Sequence, residues 1–344
     1  FIFYPPLFHV IMAFVSFGSM FMLKFVPELL FALTVFIVYA IAKEISGNDY
    51  SALFAAALSA FIPMLFRETL NNLSVYSFVV PLLLLMFYCI SKLDNKKYLW
   101  IFVITSFILP LIHPSALIFV IAIILYLLLI SGGALIPTRI KKEAVIFSVL
   151  LIIFFEFVIY KKAFLEFGSS ILKQNIPSNI LADSFRQLTP IDLLVGIGLL
   201  PLVFGSIGIY VALIKENKKI AYIFGAFALS VLLLLVLRLL TISVGLIFLG
   251  IALSIFSASA VSSVYNYFNR FKFAYLKYSF VFLLLILFVT LSLLPSFSVA
   301  DNSAIIDNVE IKEIEWLAQN TKEGDVILAN VDEGNLVAAI AKRK

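Results

Sequence analysis

A polytopic all-α membrane protein is the fold class this sequence predicts, and three observations carry the prediction. Of 344 residues, 63% are hydrophobic and only 13% are charged, so a soluble fold would lack the polar surface to cover its own core. The apolar residues lie in ten long runs, and runs of about 15–25 residues suit helices crossing a hydrocarbon layer of roughly 30 Å. No period-two alternation of the kind a barrel needs is present, so closed helices must satisfy the backbone inside lipid.

In chain order the predicted spans are Leu29–Ala42, Tyr50–Leu65, Ser74–Ile90, Tyr98–Ile112, Ser115–Ile130, Ala144–Tyr160, Ile191–Ile214, Ala221–Leu237, Leu239–Ala260 and Ser279–Leu294. Alternate connections hold Lys43; Lys92, Lys96 and Lys97; Arg139, Lys141 and Lys142; Lys215, Lys218 and Lys219; and Arg270, Lys272 and Lys277. The other connections hold only Arg67, Lys161, Lys162, Lys173, Arg186 and Arg238. By the positive-inside rule the richer set is cytoplasmic, which places Phe1 and the tail after Pro295 outside a plasma membrane. The net charge of +5 then reflects loops facing anionic lipid, and nucleic acid is not an expected partner. Cys89, the single cysteine, has no partner for an intrachain disulfide.

A further span over Leu7–Leu23 would reverse this parity, so that segment is expected to be an outer interfacial or re-entrant helix, with His9, Ser16 and Ser19 on one face. Pro114, after His113, breaks a long apolar stretch into two spans joined by a tight outer turn. The longest outer connection is Lys161–Pro190. After Asp301 the composition turns soluble: Ile311–Asn320 reads as a helix and Asp325–Val331 as a strand, the start of an extracellular α/β domain. The resulting division is 1–28, an outer remnant with the interfacial helix; 29–297, the membrane domain; and 298–344, the soluble beginning. With no initiator Met and an end on Lys342-Arg343-Lys344, the chain reads as a piece of a longer protein.

Ionisable residues gather at the predicted outer ends: Glu28, Arg67, Glu68, His113, Glu156 and Arg238, with Glu166, Asp183, Arg186 and Asp192 in the loops. Charged groups near lipid cost about 2.5–3.5 kcal/mol on insertion scales, so they usually face a bundle interior or water; interfacial snorkelling accounts for others. Arg238 stands between the apolar runs Val231–Leu237 and Leu239–Ile242, where a guanidinium can grip a phosphate through two parallel hydrogen bonds. The alternative is a helix-ending Arg touching ordinary lipid phosphates. Arg67-Glu68 reads either as a paired cap or as a functional pair, and His113 either as a structural donor or as a base. A glycine-rich phosphate loop, paired cysteines and a His-Glu-x-x-His motif are all missing. Asn72-Leu73-Ser74 matches a short glycosylation sequon.

Several segments, in chain order, resemble the GT-C membrane glycosyltransferases, in particular the archaeal branch related to the oligosaccharyltransferase catalytic subunit and the protein-mannosyltransferase type. They are Tyr4-Pro5-Pro6-Leu7-Phe8-His9; the alanine-rich run from Tyr50 to Pro63 ending in Arg67-Glu68; the stretch from Arg238 to Ala252; and Ile314-Glu315-Trp316-Leu317 through Thr321, followed by Asp325–Leu328 and Asp332-Glu333-Gly334. The resemblance implies transfer of a sugar from a polyprenyl-phosphate-linked donor to a protein, lipid or glycan acceptor on the extracytoplasmic face. It implies Arg238, with Arg186, as the donor-phosphate site; Glu68 and Asp183 as carboxylates of the reaction; and His9, Arg67 and His113 as cavity lining. The family's main catalytic Asp would precede Phe1. A divalent cation, Mg²⁺ or Mn²⁺, fits that chemistry, with ligands unassigned. Departures stand where oligosaccharyltransferases carry a second acidic pair and two tryptophans: here Ser74 and Tyr76, and Asn330-Val331. The alternatives from other classes are a lipid or polysaccharide exporter or flippase, whose usual internal repeats and broken helices are not evident in the sequence, and a non-catalytic membrane scaffold.

Overall fold

A computed structural model describes residues 7–17, 19–70, 72–131, 139–168, 189–215, 219–268, 274–301, 308–322, 324–328 and 337–342. The chain divides into two compact units, Phe1–Val299 and Ala300–Lys344. The first contains α1 (Leu7–Ser16), α2 (Met20–Ser46), α3 (Asp49–Ala60), α4 (Pro63–Thr69), α5 (Tyr76–Ser91), α6 (Lys96–Ile112), α7 (Ala116–Ser131) and α8 (Arg139–Phe167). It continues with α9 (Pro190–Ile197), α10 (Leu199–Tyr210, extended by a π turn Val211–Lys215), α11 (Lys219–Val236), α12 (Ile242–Phe268), α13 (Ala274–Phe288, extended by a π turn Val289–Leu293) and α14 (Leu294–Asp301).

Short polar residues punctuate the apolar runs. Gly47, at φ 69°, closes α2 by donating its N–H to the Lys43 carbonyl, a left-handed position that glycine takes without a Cβ penalty. Asn48 then opens α3 by accepting from the Tyr50 and Ser51 amides, and Asn95 opens α6 by accepting from Lys97. Thr189 and Asp192 form a reciprocal capping box that opens α9.

Contacts across the bundle order the helices into passes that alternate in direction. Lys43 pairs with Asp49 at 2.7 Å, Lys92 with Glu44 at 3.2 Å and Lys141 with Asp94 at 2.8 Å. Ser262 near the end of α12 donates to the Ser46 carbonyl at 3.2 Å, and the Lys277 ammonium lies 5.6 Å from the Tyr265 ring. The ends of α2, α5 and α12 and the starts of α3, α6, α8 and α13 therefore share one end of the bundle, the lysine-bearing end. At the far end Phe8 meets Phe78, Tyr76 meets His113, and Ser292 and Ser296 both donate to the Phe61 carbonyl. The predicted grouping of Lys43, Lys92, Lys141 and Lys277 into one set of connections matches this geometry.

Helix α12 runs through the centre, buried along its whole apolar window, while the corresponding windows of α8 and α13 are only 17% buried. Their outward faces are apolar: Leu150, Phe154, Phe157 and Phe282 are all at least 60% exposed. Water would not tolerate so large a contiguous surface, and lipid would. Five helices are long and apolar enough to cross a membrane, or seven if each of two bent pairs is one span. That is the build of a multi-pass helical membrane protein. Helices α5, α6 and α7, at 16, 17 and 16 residues, are shorter.

Three expectations are corrected. The helix predicted over Leu7–Leu23 ends at Ser16: Phe17 turns left-handed at φ 48°, and from Met20 the chain is already in α2, which runs unbroken past residue 28. Ser19 does not join His9 and Ser16 on one face, because it caps α2; His9 and Ser16, seven residues apart, lie close around α1, though Ser16 is buried with Phe8 and Met12 and His9 is exposed. Two predicted spans, Tyr50–Leu65 and Ile191–Ile214, are each broken, one before Pro63 and one at Gly198.

The second unit holds α15 (Asn308–Asn320) and a short π-helical turn, Val337–Ala341, joined through Ile314, Val337 and Ala341. Of the predicted strand Asp325–Val331, residues 325–328 are irregular and the remainder lies outside the described residues. No strand occurs among the described residues, so an α/β tail is not what they form.

Candidate functional site at the far end of the bundle

Two interrupted helices meet on α12. The first interruption follows from Pro63: without an N–H it starts a new helix, so α3 stops at Ala60 and α4 leaves at 53°. The Phe61 carbonyl freed by that stop accepts from Ser296 at 2.6 Å and Ser292 at 3.2 Å. The second interruption is Gly198, at φ 92° and ψ 153°, between α9 and α10, which diverge by 103°. A side chain would be strained in that conformation. A Cβ built on Gly198 would lie 3.7 Å from Pro63, and one on Gly250 of α12 would lie 2.9 Å from Ile62 and 3.5 Å from Ile197. Both breaks thus close on the same glycine of the central helix, one from each half of the chain. Pro63 was legible as a break, but the apolar run on both sides of it masked the signal.

Arg238 occupies the turn between α11 and α12. The Leu239 N–H donates to the Leu234 carbonyl at 2.9 Å and the Arg238 N–H to Leu235 at 3.0 Å, the paired bonds of a Schellman helix end. Arg238 therefore sits at the left-handed position of that motif, φ 55°, where glycine is the least strained residue. Its side chain is exposed. Beyond it the hairpin closes tightly, with Gly245 directly against the Leu235 side chain. An arginine thus stands in a conformation that favours glycine, as Phe17 and Lys342 do, with its side chain exposed.

His113 ends α6 and shares the far end. Its Nδ1 accepts from the Ser115 N–H at 3.1 Å and lies 2.7 Å from the Ser115 hydroxyl, and the ring packs edge-on against Tyr76 at 5.3 Å. An Nδ1 lone pair already engaged by an amide puts the ring proton on Nε2, so the imidazole holds the α6–α7 turn rather than serving as a free base. Burial lowers its pKa to about 4. The native state therefore binds fewer protons there than the unfolded chain, whose imidazole titrates near about 6.5, and stability must fall as pH drops through that window toward 4. The expected result is that His113→Gln flattens the acid limb of a thermal-stability profile between about pH 6.5 and about pH 4; an unchanged acid limb refutes it.

The remaining predicted residues are less concentrated. Arg67 is exposed and Glu68 half-buried on the short α4, and His9 is exposed on α1. Asp183 and Arg186 lie outside the described residues. The structure brings Glu68, His113 and Arg238 to one end of the bundle, but neither of its two best-formed pockets is lined by them. An open cleft of about 290 Å³ lies instead at the lysine-bearing end, between Leu99, Trp100, Val103, Ile140, Glu143, Ala144 and Phe147. Among the described residues no three His, Cys, Asp or Glu side chains stand close enough to share a metal ion. In the Asn72-Leu73-Ser74 sequon Ser74 is buried, accepting from the Tyr76 amide.

Glu156 was placed by sequence at an outer helix end. It lies toward that end and is only 7% exposed, on the inner face of α8. The signal was available: Ala144, Ser148, Ile152 and Glu156 recur every fourth residue, a single helical stripe, and all are buried.

No protein-family model matches the chain, and comparison with curated proteins finds no relative.

Proposed function

We propose that this chain is a membrane glycosyltransferase that takes a sugar from a polyprenyl-phosphate-linked donor at the far end of the bundle. The observation that carries the reading is Arg238, exposed at that end in a backbone conformation better suited to glycine. Its planar fork can grip two oxygens of a lipid-linked phosphate and stabilise the negative charge that grows as the sugar leaves. A carboxylate at the same end would take the proton of the acceptor hydroxyl or amide as it attacks the anomeric carbon; Glu68 is the described candidate and Asp183 the second. All ten apolar passes cross the membrane in this reading, with the short α5, α6 and α7 at its thinnest section, and the far end and the tail lie outside the cell. A divalent cation would be held, if required, by carboxylates of the outer loops.

Binding tests the central claim. The chain in lipid nanodiscs is expected to bind a polyprenyl phosphate in preference to a phospholipid with the same acyl content. Equal binding of the two would mean that Arg238 merely meets ordinary headgroups, and the transferase reading would lose its support. Orientation is tested separately in a Cys89→Ala background: Asn72→Cys and Trp316→Cys are expected to react with an impermeant thiol reagent in sealed cells, and Lys97→Cys only after permeabilisation. The reverse pattern would invert the topology and move the site to the cytoplasm.

An exporter of lipid-linked material is the second reading, and the paired interruptions favour it. Transporters commonly place substrate where broken helices from two halves meet, as α3/α4 and α9/α10 do on Gly250. Proteoliposomes loaded with a labelled polyprenyl-phosphate sugar separate the two: accumulation of a glycosylated acceptor supports the transferase, movement of intact donor between leaflets the exporter.

A further inference from the structure

Helix α8 is the most lipid-exposed long helix that still buries a carboxylate. It runs parallel to α6, starting at the lysine-bearing end, where Lys141 pairs with Asp94 and donates to the Ser91 carbonyl. The two helices are pinned by a hydrogen bond between the Ser106 and Ser148 hydroxyls at 2.7 Å, and Phe107 packs against both Phe147 and Phe155. Two turns beyond Ser148, about 12 Å toward the far end, the same inner stripe brings Glu156 into the interface, at about the level of His113. Both Glu156 carboxylate oxygens are buried, and neither has a hydrogen-bond partner among the described residues.

A buried ionised carboxylate without a cation or donor is the costliest arrangement a bundle can hold, and the described residues of the neighbouring helices offer no cation to it. On α6 the titratable groups are Lys96, Lys97 and Tyr98, all at the lysine-bearing end; on α7 there is Tyr126, one turn from its end there. His113, in the turn between these helices, has its Nδ1 committed to Ser115. On α8 itself Lys141, Lys142 and Glu143 lie at the lysine-bearing end, Tyr160 lies one turn beyond Glu156 on the same side, and Lys161, Lys162 and Glu166 lie further on. Lys162 faces Glu166, at 3.9 Å. A metal ion would need several oxygen ligands, and Glu156 belongs to no cluster of three acidic, His or Cys side chains among the described residues. One proton suffices: it removes the charge and leaves a group no more polar than an amide.

We propose that Glu156 is a proton-binding site inside the bundle, occupied as the neutral acid while α8 is seated on α6 and emptied when a shift of α8 brings the carboxyl to water at the far end. The step is a simple uptake, one carboxylate and one proton from water giving one carboxylic acid, and it is independent of the transferase reading. Seating of α8 is thereby linked to pH: the seated state holds a proton that the unseated state releases, so stability falls as pH rises.

The test compares wild type with Glu156→Gln, an isostere of the neutral acid that cannot ionise, by thermal unfolding of the whole chain in nanodiscs. Between about pH 5 and about pH 9 the wild-type midpoint is expected to fall by several degrees more than that of the variant. Equal pH slopes would overturn the proposal. If the Gln variant does not fold, wild-type protein treated with a hydrophobic carbodiimide decides. Its neutral carboxyl adds across one C=N bond, the acid proton passing to nitrogen, and the adduct rearranges to a stable N-acylurea without loss of any atom. Mass spectrometry is expected to find that adduct on Glu156, more at acidic than at alkaline pH; absence of the adduct at every pH would equally overturn the assignment.

Discussion

Gly208→Leu is expected to prevent accumulation of the folded protein. Helix α10 runs parallel to the buried α12, and the two backbones touch: a Cβ on Gly205 would lie 2.6 Å from the Leu253 carbonyl oxygen, and one on Gly208 would overlap the Phe256 carbonyl. These neighbours are main-chain atoms of the central helix, so no rotamer change can make room. Within lipid, helix association depends on close van der Waals packing rather than on hydrophobic burial, and glycines at this spacing are what permit the approach. Overpacking typically costs about 1–3 kcal/mol when side chains can adjust. Here the helices must separate, and a loss of about 4 kcal/mol or more would consume much of a stability of about 5–15 kcal/mol. Gly208→Ala should already lower the thermal midpoint. Gly225→Ala is the control: its Cβ would lie 3.3 Å from the flexible end of Leu213, and the better helix propensity of alanine offsets part of the adjustment, leaving a change of under about 1 kcal/mol. If Gly208→Leu and Gly225→Ala give the same midpoint in detergent, the described contact between α10 and α12 is wrong.

The contrast between these glycines shows where sequence reasoning reached and where it stopped. Each of the ten predicted spans falls on a helix or on a bent helix pair, because an apolar run of that length has few other conformations in lipid. The segregation of Lys43, Lys92, Lys141 and Lys277 was equally plain, since loop charge is a local property. Nothing local distinguishes Gly208 from Gly225, however; their neighbours are contributed by α12 and by the π turn after α10. The same holds at the site. The Phe61 carbonyl finds its donors on Ser292 and Ser296, more than two hundred residues away, and only that pairing makes the interruption before Pro63 stable. Arg238 was singled out by its chemistry, but its left-handed backbone depends on how α11 ends and could not be read from Leu-Arg-Leu. Glu156 lies toward the far end as expected, but its burial went unread for a different reason: its position along the span was weighed, and its face was not.

Arg238 supplies the sharpest separation of function from fold. If its guanidinium grips the donor phosphate, Arg238→Ala should weaken binding of a polyprenyl phosphate by roughly a hundredfold, the equivalent of about 3 kcal/mol for a charge-assisted bidentate contact. Arg238→Lys should restore only part, because an ammonium is a point charge without the planar fork. The decisive variant is Arg238→Gly. Glycine relieves the strain of the left-handed position at the end of α11, so the fold should gain about 1 kcal/mol while donor binding falls as far as in the alanine variant. A residue retained only to anchor the helix in the headgroups predicts a different pattern, in which lysine equals arginine and the glycine variant loses insertion efficiency with no selective loss of polyprenyl-phosphate affinity. Thermal midpoints and binding isotherms on the same nanodisc preparations discriminate the two. A glycine variant that is more stable and binds donor as tightly as wild type would remove Arg238 from the site, and with it the strongest reason for placing lipid-phosphate chemistry at the far end of the bundle.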